Sequence, residues 1–130
     1  MSFIVCNWGK LACCTIEERR EVISYIDVLT ELKCEIERKG IPAFDNYLSS
    51  DSGGFERFAI SLVSNGYSPD ICASILSRGL NISCEDNKQY LKNAIFSEFV
   101  LILQEESVGI QELRLRLYSY LGVEFMTSVL

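Results

Sequence analysis

Cysteine is the residue type in this chain best placed to do chemistry. Six occur, at Cys6, Cys13, Cys14, Cys34, Cys72 and Cys84. A thiolate can attack an electrophile, join a disulfide or hold a metal ion, and each use needs particular neighbours. There is no histidine in the chain. That removes Cys/His zinc sites, Ser/His and Cys/His nucleophile pairs and the usual general base. No Cys-x-x-Cys spacing is present, and Cys6, Cys13 and Cys14 with a fourth thiolate match no familiar metal site. The vicinal pair Cys13-Cys14 could serve as a thiol sensor; its other reading is a partly buried lead-in to a helix.

The carboxylates offer no better. Glu17, Glu18 and Glu21 sit at a helix start and Glu105 and Glu106 at a helix end, without the facing pair on an apolar ground that glycoside hydrolysis uses. Asp51-Ser52-Gly53-Gly54 is too short for a calcium loop, and Gly53-Gly54 lacks the lysine and hydroxyl residue of a phosphate loop. These observations predict no catalytic residue, no cofactor and no metal ion. Arg114 and Arg116 interleaved with Tyr118 and Tyr120 raise a nucleic-acid surface, and a solvated helix face is the preferred reading.

Composition sets the same direction. The net charge is −6 and the isoelectric point about 4.7, a balance that repels phosphate backbones and anionic membrane faces. A basic patch on a partner protein suits it better. With 48% hydrophobic and 23% charged residues in 130 positions, the chain reads as one globular domain over residues 1–130. No secretory pattern opens it, so the thiols are expected reduced and the location cytoplasmic. No run nears the ~18 apolar residues of a membrane-spanning helix.

Elements must position whatever this chain does, and with two prolines in all they read as helices. Residues 1–14 form a lead-in. Thr15 with Glu18 makes a capping box, after which Val22, Tyr25, Ile26, Leu29, Leu32 and Ile36 step along one helical face to Arg38, Lys39 and a stop at Gly40. That predicts a helix over Ile16–Lys39. Pro42 opens a short second helix with Ala43, Phe44, Tyr47 and Leu48. Ser49 to Gly54 reads as a loop, and a third helix over Phe55–Ser64 buries Phe55, Phe58, Ala59, Leu62 and Val63 before the turn at Asn65-Gly66. Ser68-Pro69 starts a fourth, with Ile71, Cys72, Ile75 and Leu76 inward and Gly79 as its stop. Ser83 is the expected cap of a fifth carrying Tyr90, Leu91, Ala94, Ile95, Phe99, Ile102 and Leu103. A last helix starts near Gly109, presents Ile110, Leu113, Leu117 and Leu121, and stops at Gly122. The alternation of Leu113, Leu115 and Leu117 keeps a short strand as the other reading there. The apolar tail Val123 to Leu130 has no assignment. The predicted fold is all-α, a single compact domain of five or six helices packed as hairpins.

The order of these elements from about Ile26 to Ile82 resembles the large cytoplasmic loop of the flagellar stator protein MotA. The matching features are the charged helix end Leu29 to Lys39, the stretch Gly40-Ile41-Pro42-Ala43-Phe44-Asp45, the loop Ser49 to Gly54, the aromatic-led helix Phe55 to Ser64, the Asn65-Gly66 turn and the helix Pro69 to Leu76. The resemblance implies a basic residue before the glycine and an acidic one after the apolar cluster, both meeting a rotor protein. The acidic role falls on Asp45. The basic role falls at Glu37, where the sign is reversed, beside Arg38 and Lys39. MotA proteins carry four membrane helices and this chain shows none, so the resemblance implies a freestanding accessory of a motor.

The function expected is therefore non-catalytic: a scaffold or interaction protein whose Glu37, Arg38, Lys39 and Asp45 contact another protein, a flagellar rotor or stator component or a second copy of itself. The alternative is a helical adaptor unrelated to motility that uses Phe125, Met126, Val129 and Leu130 as an apolar patch.

Overall fold

The computed structural model describes residues 2–48, 52–82 and 85–130. Among them all regular structure is helical: α1 (Trp8–Ala12), α2 (Ile16–Lys39), α3 (Pro42–Tyr47), α4 (Gly54–Ser64), α5 (Pro69–Ile82), α6 (Asn87–Leu103), α7 (Ile110–Tyr118), a 3-10 turn (Ser119–Leu121) and α8 (Val123–Met126). The fold is all-α, as predicted, and the Leu113–Leu117 stretch is helix. Among the described residues eight α-helices stand where five or six were expected. The additional ones are single turns that periodicity does not register, α1 held by Asn7 Oδ1 accepting from Lys10 N–H at 3.1 Å and α8 following Gly122, whose φ is +109°.

The long α2 has the predicted ends. Thr15 Oγ1 accepts from Glu18 N–H at 3.1 Å while Glu18 Oε1 accepts from Thr15 N–H at 2.9 Å, and Gly40, at φ +71°, closes it. Val22, Ile26, Leu29 and Leu32 line its buried face. Gly79 does not stop α5. It keeps helical dihedrals and sits where a Cβ would lie 3.8 Å from the Phe55 ring, so α5 runs on to Ile82. The predicted cap Ser83 lies outside the described residues; Asp86 caps α6, its Oδ1 accepting from Gln89 N–H at 2.8 Å.

Helix α6 is the axis of the molecule. Its buried residues run all round it, Tyr90, Leu91, Ala94, Ile95, Phe96, Phe99, Val100, Leu101 and Ile102 included, the mark of a helix enclosed by others. Helices α1, α2, α4, α5, α7 and the 3-10 turn all pack on it. Of the residues expected inward, Ile110 is exposed at the start of α7, and Phe58 and Ile71 face out further. Phe58 is 47% and Ile71 44% exposed. On α4 the buried arc is centred on Ala59 and Leu62, which leaves Phe58 at its edge. On α5 the arc runs through Cys72, Leu76 and Leu80 and widens to Ala73 and Ser77, because segment 2–7 covers that side, and Ile71 falls opposite.

A polar knot joins α2, α3 and α4. Glu56 Oε2 accepts from the Tyr25 hydroxyl at 2.9 Å and from the Tyr47 hydroxyl, and the ammonium of Lys92 on α6 lies 4.9 Å from the centre of the Tyr25 ring. Among the described residues no helix is long and apolar enough to cross a membrane.

Candidate interaction surface

The charged residues read from sequence as partner contacts lie on the last turn of α2 and the first of α3, all exposed. Most already have partners inside their own helix. Glu35 pairs with Arg38 and, at 3.1 Å, with Lys39, and these cations hold its carboxyl below the ordinary range, the Lys39 hydrogen bond foremost. Glu37 pairs with Lys33 at 2.8 Å. Asp45 makes no ion pair among the described residues and sits in the first turn of α3, where the helix dipole favours a negative charge. No ion pair joins Asp45 to Arg38 or Lys39.

The tail is only partly a free surface. Val129 is buried, Phe125 and Met126 are half-buried against the core, and Leu130 is exposed. Of the vicinal thiols, Cys13 is exposed and Cys14 buried. The Cys14 thiol donates to Asn87 O at 3.3 Å and burial raises its pKa, the direction opposite to thiolate activation.

A different surface stands out at segment 2–7, which crosses α5 and reaches α6. Val5 N–H donates to Ser77 Oγ at 2.9 Å, and Asn81 Nδ2 donates to Val5 O at 2.6 Å. The hydroxyl of the buried Tyr90 donates to Asn81 Oδ1 at 2.6 Å and accepts from Asn7 N–H at 2.7 Å. The Ser2 hydroxyl donates to Asp70. These bonds fix which side chains turn in and which turn out. Ile4 enters the core at 7% exposed, while Phe3 and Val5 project outward at 68% and 66%.

Two hollows flank Phe3. One, of about 620 Å³, lies against α5 and is lined by Phe3, Val5, Ala73, Arg78, Asn81 and Ile82. The other, of about 600 Å³, lies toward α6 and α7, with Phe3, Pro69 and Leu101 as apolar lining and Glu98, Glu105, Glu112 and Arg116 as charged lining. One guanidinium there serves three carboxylates. Arg116 Nη2 is 2.7 Å from Glu98 Oε2 and 2.7 Å from Glu105 Oε2, and Nη1 is 3.4 Å from Glu112 Oε2. Glu98 also accepts from the Tyr120 hydroxyl at 2.8 Å, and the Tyr120 ring stacks on Trp8 with centroids 5.9 Å apart. Burial, with Glu98 adding to it, pushes the Cys6 thiol up to about 11.

By sequence alone Glu105 reads as a helix end and Arg116 as part of a solvated helix face. The Glu112–Arg116 pair was open to detection by its i,i+4 spacing. The convergence of Glu98, Glu105 and Phe3 on it depends on how α6, α7 and segment 2–7 meet, which no local spacing encodes. Among the described residues no group of three or more acidic or thiol side chains is arranged to hold a metal ion. Compared with known proteins, the chain matches no family model, no curated protein and no solved structure.

Proposed function

We propose that this chain is a non-catalytic protein-interaction domain that docks a partner on the two hollows flanking Phe3. The observation that carries this reading is the combination of order and exposure at that residue. The backbone around Phe3 is pinned by Ser77, Asn81 and Tyr90, yet the ring stands 68% in solvent with Val5 beside it. A flexible segment could fold such side chains away. A pinned one holds apolar area in water, an unfavourable arrangement that a partner covering it would relieve. The proposed setting is the cytoplasm. The supporting observation is that the Cys14 and Cys72 thiols act as small buried donors to carbonyl groups, Cys72 to Tyr67 O at 3.6 Å, the role of reduced cysteine in a core.

Site-specific photo-crosslinking in the native host tests the reading. A photoreactive residue replacing Phe3 or Ile82 should capture one protein, a second copy of the chain included, and the same residue at Glu31 on α2 should not. Equal capture from both faces, or none from the hollows, would remove the proposal.

A motor-associated role is the second reading. It is supported by the order of helix, glycine, short helix and aromatic-led helix through α2, α3, α4 and α5 and by Asp45, which is exposed and makes no ion pair among the described residues. Charge reversal at Arg38, Lys39 and Asp45 should then abolish pull-down of a rotor or stator component. Retained binding in all three variants would end that reading.

A further inference from the structure

The two hollows differ in charge, and the difference points to a partner chemistry. The α5-side hollow carries Asp70 and Arg78, which balance. The other carries Glu98, Glu105 and Glu112 against Arg116 alone, so two negative charges are left over beside an apolar lining. They are not spread evenly. Glu98 is enclosed, its side chain 16% exposed and both its oxygens engaged by Arg116 and Tyr120. Glu105 and Glu112, at 44% and 57%, each meet Arg116 through Oε2 and stand open to solvent. The surplus therefore sits at the mouth of the hollow, within reach of an incoming group, and the chain's overall −6 adds a field of the same sign.

We infer that the hollow beside Phe3 receives a short segment of a partner protein in which a lysine or arginine stands next to apolar residues. The cation pairs with Glu105 and Glu112 at the mouth, and the apolar neighbours cover Phe3 and extend toward Val5 and Ile82. The inference rests on the docking surface proposed above and adds the identity of its ligand. An acidic segment would meet two like charges. A wholly apolar one would cover Glu105 and Glu112 without replacing the water they hold, which costs free energy.

Fluorescence anisotropy of the full chain with three labelled octapeptides tests it: leucine alternating with lysine, with serine and with glutamate. The lysine peptide should bind, and the glutamate peptide should not. The double variant E105Q/E112Q should weaken the lysine peptide at least tenfold and leave the serine peptide unchanged. The variant pair D27N/E31Q, which removes the same charge from α2 outside both hollows, should change Kd less than twofold. Phe3→Ser should weaken every peptide that binds. Equal affinity for the lysine and serine peptides, equal losses in the two charge variants, or no binding of the lysine peptide would each overturn the cationic partner. The docking surface itself fails separately, when peptide binding persists undiminished in Phe3→Ser.

Discussion

Glu56 shows at the scale of one residue how a polar group becomes structural. Its Oε2 accepts from two tyrosine hydroxyls supplied by different helices, Tyr25 of α2 and Tyr47 of α3, so a single carboxylate fixes α4 against both. Removing it leaves the two half-buried hydroxyls only each other to bond, and hydrogen bonds to charged groups carry more than neutral ones. Glu56→Ala is expected to destabilise the fold by about 2 kcal/mol, seen as a lower urea midpoint with an unchanged slope. Tyr47→Phe should cost less, because Tyr25 still satisfies Glu56 and the ring keeps its stacking on Phe96 at 6.2 Å. A Tyr47→Phe loss as large as that of Glu56→Ala would show that the carboxylate is not the shared centre of the knot.

The glycines at helix ends divide at the scale of the element. Gly122 lies at φ +109° between the 3-10 turn and α8, and a Cβ there would come within 3.3 Å of the Glu124 carboxylate. Gly54, the first residue of α4, has negative φ and open space around it. Gly122→Ala should cost about 1–3 kcal/mol through strained backbone, and Gly54→Ala should add about 0.4–1 kcal/mol by restricting the unfolded chain; thermal melts of the two variants should move in opposite directions. This contrast also explains what was legible in the sequence. Thr15 with Glu18, Gly40, Pro42 and Asn65-Gly66 act through neighbours a few positions away, so α2, α3 and α4 were placed to within a residue. Gly79 misled because a glycine in a helix interior, there beside Phe55, has the same letter as one that ends a helix. Single turns such as α1 and α8 hold too few residues for a period to emerge. The hollows were out of reach altogether, since Phe3 comes beside Ile82 in one and beside Leu101 and Arg116 in the other only after α5, α6 and α7 have packed.

At the scale of the whole molecule, the acid groups perturbed by folding are mostly ones that folding keeps protonated. Burial first, with Glu98 adding to it, lifts Cys6 from its ordinary 9.0 to about 11. Burial is likewise the leading cause for Tyr25, Tyr47, Tyr90 and Tyr120, all raised above the ordinary tyrosine value of 10.0. A neutral acid with a raised folded pKa holds its proton while the unfolded chain has begun to lose it, so the unfolded state binds fewer protons and stability falls as pH rises. The contribution is whole below about pH 8, where the unfolded thiol is still protonated, and declines as the thiols and then the tyrosines of the unfolded chain ionise. Lys88, raised by its bond to Glu21, acts in the same direction through the loss of its charge. Glu35, lowered by Lys39 and Arg38, acts in the opposite sense, its contribution present at neutral pH and lost on acidification. Urea midpoints should therefore be level from about pH 6 to 8 and fall steadily above it, and Tyr120→Phe, less stable at neutral pH for want of its bond to Glu98, should show the shallower fall because it has one fewer group to titrate. A midpoint that held level through about pH 10.5 would mean that the enclosed hydroxyls ionise as they do in water, and the packing of segment 2–7, α6 and the 3-10 turn around Cys6, Glu98 and Tyr120 would then be looser than these distances require.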